Sequence, residues 1–184
     1  MALFRVALTG GIAEGKTTVL RMLAEFGMRT ASSDDVAREV FDEPETRAEI
    51  GQKLNLVGRI DRESLAAVIA SDPSKRRALN EVMHPEILSR LVSLDADVVE
   101  VPLLVETCLQ SMFGRVWVVT CGGQEQQRRL AERLGDPVLA RSLIAAQLPT
   151  EVKCAFADRI VRTDRPFASV IQEAEELARF VVSQ

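Results

Sequence analysis

Gly10-Gly11-Ile12-Ala13-Glu14-Gly15-Lys16-Thr17 fits the spacing G-x-x-x-x-G-K-[ST] of a phosphate-cradling P-loop. Before it, Leu3-Phe4-Arg5-Val6-Ala7-Leu8 reads as a buried strand, and Thr18 to Phe26 after it reads as a helix. That order matters, because successive loop N–H groups then point at phosphate oxygens with the positive end of the helix dipole beneath them. On this reading Gly11, Ile12, Ala13, Glu14, Gly15, Lys16, Thr17 and Thr18 bind nucleotide. Lys16 reaches the β- and γ-phosphates, and Thr17 puts its hydroxyl on Mg²⁺. The bland alternative is a glycine turn before an ordinary helix with an exposed Lys16.

Outward from the loop, Gly27 is a natural helix stop, and Met28-Arg29-Thr30-Ala31 reads as a short second strand running to Ser32-Ser33-Asp34-Asp35. Ligands of open parallel sheets bind at such carboxyl edges, so Asp34 and Asp35 either face the phosphates or cap the next helix, 36–41. From Pro44 to Leu94 helical periodicity takes over, with Leu65, Val68 and Ile69, then Leu79, Val82 and Met83. Asp72-Pro73 opens a helix, and Pro85 is expected to break or kink it just after His84. Two further strands, 97–101 and 115–120, flank an expected short helical crossing with Val105, Leu109 and Met112. Trp117 is expected in the core.

The stretch 124–156 is helical and basic, with Arg128, Arg129, Arg133, Arg141 and Lys153, broken at Gly135-Asp136-Pro137 and Leu148-Pro149. It is either a lid that sends an arginine to phosphate or a solvated face paired with Glu125, Glu132 and Glu151. A fifth strand covers 158–162. An amphipathic helix from Pro166 carries Val170, Ile171, Ala174, Leu177, Ala178 and Val181. Together these describe a three-layer α/β/α P-loop NTPase fold: a five-stranded parallel sheet, a helical substrate-binding insert and a helical lid. The expected organisation is one domain, 1–184. Its nucleotide-binding core spans about 1–34, 95–123 and 157–184, its acceptor region about 35–94 and its lid about 124–156.

Composition narrows the class. The chain has 184 residues, 47% hydrophobic and 27% charged, which suits an ordered globular domain. A net charge of -4 argues against a broad nucleic-acid footprint. Cys108, Cys121 and Cys154 match no metal spacing and fit a reducing, cytoplasmic setting. The N-terminal apolar run holds Arg5 and ends at the glycines, too short for a membrane span or secretory signal, so no membrane partner is expected.

Several motifs in order make the chain resemble the dephospho-coenzyme A kinase family. They are Leu8-Thr9-Gly10-Gly11-Ile12 with Gly15-Lys16-Thr17-Thr18, then Asp34 with Val36-Ala37-Arg38, Arg62, and His84-Pro85. Glu100-Val101-Pro102-Leu103-Leu104 with Glu106 follows, then Gln126 with Arg129 and Arg133, Gln147, Lys153 and Ala157-Asp158. The pair His84-Pro85 and Pro102-Leu103-Leu104-x-Glu106 makes the resemblance specific. It implies transfer of the γ-phosphoryl of ATP, with Mg²⁺, to the ribose 3′-hydroxyl of dephospho-coenzyme A.

By the same resemblance, Asp34 orients that hydroxyl and takes its proton, while Lys16 and the lid arginines Arg133 and Arg141 stabilise the transferring group. Asp34, Arg62, His84, Pro102, Leu103 and Leu104 hold the acceptor, and Thr163 and Asp164 lie by the adenine. For His84, the only histidine, the plainer role is fixing the break before Pro85. Ala13 and Glu14 stand where the family commonly has glycine and serine. A Cβ at Ala13 costs free energy if φ is positive, and Glu14 is expected to point to solvent. Ser32 replaces the first aspartate of a common Asp-x-Asp pair. Another small-molecule kinase of this superfamily, such as a nucleoside monophosphate kinase, or a non-catalytic nucleotide-binding regulator are the alternatives.

Overall fold

The computed structural model describes residues 4–56, 58 and 60–182; Leu3, at the head of the expected first strand, lies outside them. Two compact units emerge, Met1–Ser32 with Asp95–Gln184, and Ser33–Leu94.

The first unit is built on strands β1 (Phe4–Gly10), β2 (Thr30–Ser32), β3 (Val98–Glu100), β4 (Phe113–Thr120) and β5 (Arg159–Arg162). They form one sheet in the order β2-β3-β1-β4-β5, every pair parallel. The strand leading into the P-loop is therefore central. Val6, Ala7 and Leu8 are fully buried, as a strand covered on both faces requires, which is why the middle of β1 is apolar at consecutive positions. Helices lie on both sides. Val6, Leu8, Trp117 and Val119, alternating along their strands, join Leu20 and Leu23 of α1 (Lys16–Glu25) and Val170, Ala174 and Leu177 of α9 (Phe167–Val182) in one apolar cluster. Trp117 is thus core, and each such buried side chain contributes roughly 1.5–3 kcal/mol of transfer free energy. The other helices of this unit are α6 (Gly123–Leu134), α7 (Pro137–Ala145) and α8 (Thr150–Cys154), the last packed on β1 and β4.

Helix α1 ends as expected. Gly27 adopts φ +88 and its N–H bonds to the Ala24 carbonyl, a left-handed stop that favours glycine. The second strand starts later than expected. Asp97 accepts from the backbone N–H of Arg29 (3.1 Å) and from its Nε (2.9 Å) and Nη2 (2.7 Å), so Arg29 is held by a side chain and the ladder begins only at Thr30, opposite Val98. The expected helical crossing after β3 is absent. Residues 102–108 are turns, Cys108 has φ 57, and only a 3-10 turn at Gln110–Met112 precedes β4. Leu104 and Val105 are buried there as anchors, so apolar spacing that mimics a helix reflects a packed turn.

The second unit is helical: α2 (Ser33–Asp42), α3 (Pro44–Leu54), α4 (Arg62–Ser71) and α5 (Pro73–Ser93). Asp72 caps α5 by accepting from the N–H of Ser74 and Lys75, with Pro73 at the first position. Of the break or kink expected at Pro85, the break does not occur: α5 runs 21 residues through the proline. Packing outweighs the lost hydrogen bond, since α5 contacts α2, α3 and α4 and buries Val82, Met83 and Leu91 on either side of the proline. Among the described residues, no helix is long and apolar enough to cross a membrane.

Candidate nucleotide-binding site

The loop between β1 and α1 is held from behind and open in front. Glu14 is 1% exposed, which corrects the expectation that it points to solvent. Its Oε2 accepts from the Gly11 N–H (2.5 Å) and the Thr150 hydroxyl (2.7 Å), its Oε1 from the Thr120 hydroxyl (2.9 Å). Ile12 is gripped on both sides, donating its N–H to Gln147 Oε1 (2.9 Å) and accepting from Gln126 Nε2 (3.0 Å). Thr163 donates its hydroxyl to the Glu14 carbonyl (2.7 Å), and Lys16 donates Nζ to the Gly11 carbonyl (2.9 Å). Meanwhile the N–H groups of Ala13, Glu14, Gly15 and Thr17 find no acceptor among the described residues. Unspent backbone donors at the positive end of a helix are an anion site.

Two residues carry the turn. Gly15 has φ +94, and Ala13 has φ 62 despite its Cβ, so the condition under which that alanine costs free energy is met. Thr17 is exposed at the second position of α1, and its hydroxyl has no hydrogen-bond partner among the described residues. Among the described residues no group of three or more His, Cys, Asp or Glu side chains forms a metal cage. The exposed Thr17 hydroxyl beside the loop N–H groups fits an ion held chiefly by phosphate oxygens, a hydroxyl and water, as Mg²⁺ commonly is.

Two clefts adjoin the loop. One, about 610 Å³, is lined by Cys121, Gly122, Gln124, Arg129, Thr163 and Arg165 among others. Thr163 is the neighbour that a Cβ on Gly15 would meet at 3.2 Å, so this cleft abuts the loop. Arg129 shapes it by donating to the Thr163 hydroxyl (3.2 Å) and carbonyl (2.7 Å) while its Nε pairs with Glu125 (2.7 Å). Arg128 and Arg129 hold the Glu125 carboxyl down at about 2, Arg162 keeps Asp164 below the usual carboxylate range, and burial pushes the Cys121 thiol up to about 11. The second cleft, about 340 Å³, is lined by Gly11, Gln126, Arg141, Gln147 and Thr150.

The basic stretch divides accordingly. Arg128 pairs with Glu125 and Glu132 on the surface, as a solvated face does. Lys153 is no lid cation: fully buried, its Nζ donates to Glu106 Oε1 (2.8 Å) and the Pro102 carbonyl (3.0 Å), and Glu106 also accepts from the Leu148 N–H. A charge so enclosed needs that pairing. Arg133 and Arg141 form no ion pair among the described residues; Arg141 lines the smaller cleft, and Arg133 lines neither. In the turn pinned by Lys153, Leu103 projects at 44% exposure and Leu104 at 0%. Leu104, expected at the acceptor, is the buried anchor of that turn.

Within the second unit, Asp34 is exposed in the first turn of α2, two residues past the carboxyl end of β2. Arg62 donates to Asp42 (2.6 Å) and to the Arg38 carbonyl, and lies 5.6 Å from the Phe41 ring centroid. His84 is exposed on α5, one residue before Pro85, so it does not fix a helix break.

A sequence model of the family described as Dephospho-CoA kinase matches residues 4–168. The chain belongs to the dephospho-CoA kinase family. The Dephospho-CoA kinase of Synechococcus sp. (strain CC9605) is 34% identical over 190 residues, 95% of this chain and 92% of that one. That of Shouchella clausii is 36% identical over 174 residues, 85% and 88% of the two chains. Among solved structures, TT1252 from Thermus thermophilus superposes with a TM-score of 0.81 at 25% identity, covering 100% and 98% of the two chains. A shikimate kinase from Acinetobacter baumannii, at 18% identity, TM-score 0.55 and coverage of 97% and 93%, shares the fold alone. For a dephospho-CoA kinase, the residues that sequence reasoning left without a role are Thr120, Gln126, Gln147 and Thr150, all of which brace the P-loop. Gln126 and Gln147 stood out as motif residues, but nothing local marks Thr120 or Thr150.

Proposed function

We propose that this chain transfers the γ-phosphoryl of ATP to the ribose 3′-hydroxyl of dephospho-CoA, giving CoA and ADP. Family membership over nearly the whole chain supports the chemistry, and the observation that carries the site is the run of unspent loop N–H groups beside Lys16. Phosphoryl transfer asks a protein for in-line positioning and charge neutralisation more than for covalent work. The loop N–H groups take β-phosphate oxygens, and Lys16 exchanges the Gly11 carbonyl for the β- and γ-phosphates. Adenine and ribose occupy the larger cleft, beside Thr163 and Asp164. Bound Mg²⁺, held by Thr17 and phosphate oxygens, would offset charge on the transferring group.

Arg141, at the smaller cleft, closes over the phosphates, and Arg133 serves from the same segment, 124–156, acting as a lid. The acceptor region is 35–94 with the Pro102-Leu103 turn; Arg62, His84 and Leu103 hold dephospho-CoA. Asp34 accepts the 3′-hydroxyl proton as its oxygen attacks phosphorus and the bond to the ADP oxygen breaks. A cytoplasmic setting suits the free cysteines. The test is Mg²⁺-dependent ADP release with dephospho-CoA, with product mass recording one added phosphate. ADP formed only with nucleoside monophosphates as acceptors would overturn the reading.

A further inference from the structure

A carboxylate inside a phosphate-binding loop is an electrostatic liability unless it does something for the loop. Among the described residues, the hydrogen-bond partners of the Glu14 carboxylate include no Lys or Arg. All three are neutral donors: Gly11 N–H within the loop, Thr120 at the carboxyl end of β4 and Thr150 in the first turn of α8. Those donors satisfy the carboxylate where water cannot reach it. Gly11 is in turn pinned at its carbonyl by Lys16. The packing leaves no slack: a Cβ on Gly11 would come within 2.4 Å of Gln126 Nε2, 2.8 Å of Glu14 Oε2 and 2.9 Å of Thr150 Oγ1.

We propose that Glu14 is a positioning residue, a brace that fixes the P-loop in its phosphate-ready shape and ties it to Thr150, where the 124–156 segment returns to the sheet. By spending the Gly11 N–H internally, the brace leaves the N–H groups of Ala13, Glu14, Gly15 and Thr17 for the ligand. By holding Thr150, next to Gln147 on Ile12, it makes loop geometry depend on the seating of α8. The inference rests on the loop binding MgATP, as read above, but not on which acceptor is phosphorylated.

The test is calorimetric MgATP affinity of the full chain in four variants, with the KM for ATP following it. Glu14→Ala strands two hydroxyls and an N–H and should weaken binding about tenfold or more. Thr150→Val removes one partner and should weaken it about threefold, and the double variant should be no worse than Glu14→Ala, the signature of a shared interaction. Glu14→Gln should recover most of the loss. Its oxygen can take Gly11 and Thr150, and its amide can donate to Thr120 Oγ1, which already accepts from the Gly122 N–H (3.1 Å). Wild-type affinity in Glu14→Ala, additive losses in the double variant, or Glu14→Gln no better than Glu14→Ala would each overturn the brace. If Glu14→Ala does not fold, Thr150→Val with unchanged affinity still overturns it.

Discussion

Polar side chains are used in opposite ways in the two units of this kinase. Around the P-loop they are enclosed and bridge more than a hundred residues of sequence, as from Glu14 to Thr120 and Thr150 or from Ile12 to Gln126 and Gln147. In the Ser33–Leu94 unit most pair at the surface, as Arg38 does with Asp35, Arg62 with Asp42 and Lys53 with Glu81, while Arg90 and Glu43 are half-buried. Pairs of the second kind contribute about 0–1 kcal/mol each and are screened by salt. The loop is held by satisfied buried bonds, whereas these surface charges are held only by exposed partners. On the reading proposed above, that division suits a donor site of one fixed shape and an acceptor site that adapts.

The contrast breaks most sharply at Lys16 and Asp34. Lys16→Ala removes the only lysine of the loop and should lower kcat on the order of 10²–10³-fold, with weaker ATP binding, in coupled ADP-release assays. Asp34→Asn should lower kcat by roughly 10²-fold or more while ATP affinity stays within about twofold. Comparable losses of ATP affinity in both variants would erase the division between donor and acceptor groups. Gly11→Ala comes next: with a Cβ meeting three polar atoms below 3.0 Å, it should cost about 1–3 kcal/mol by denaturant unfolding and weaken ATP binding. The same substitution at Gly27, where a Cβ meets nothing within 4 Å, should cost only the strain of its φ of +88 and leave ATP binding alone.

How far these differences are legible in the chain follows from the range of each interaction. The sheet, the loop and the stop at Gly27 are written locally, in an apolar run, a fixed glycine spacing and a single residue able to take positive φ. Pro85 misleads because its cost is local while the packing of α5 against three helices is not. The crossing after β3 misleads for a like reason: Leu104 and Val105 are apolar because a turn is buried, and the lysine that pins it, Lys153, lies 51 residues beyond Pro102. Glu14 is the plainest case. Its type argues for solvent, and only the approach of Thr120 and Thr150 in three dimensions makes it an interior residue.

Smaller effects sharpen the contrast. Ala13→Gly relieves a Cβ at φ 62 and should stabilise the fold by about 0.5–1 kcal/mol, raising Tm by roughly 1–4 °C. A drop in Tm would mean that unfolded-state entropy outweighs the relief. If the brace already fixes the loop, ATP affinity should change little.

The smallest expected effect concerns a surface pair that nonetheless shapes the larger cleft. Glu125 holds Arg129, and Arg129 holds Thr163. Hydrogen bonds from Arg128 and Arg129 lower the Glu125 pKa from 4.5 to about 2 in the folded chain. A depressed carboxylate contributes stability that is complete above its unfolded pKa and lost as pH falls through its folded one. The Tm advantage of wild type over Glu125→Gln should therefore be flat above pH 4.5 and shrink as pH falls from 4.5 toward about 2. Because both partners are solvent-accessible, that advantage should be small and fade with added salt. A difference that grows below pH 4.5, or that ignores salt, would mean the Glu125 network is not an exposed pair of the kind found in the helical unit but a buried one like Lys153 and Glu106.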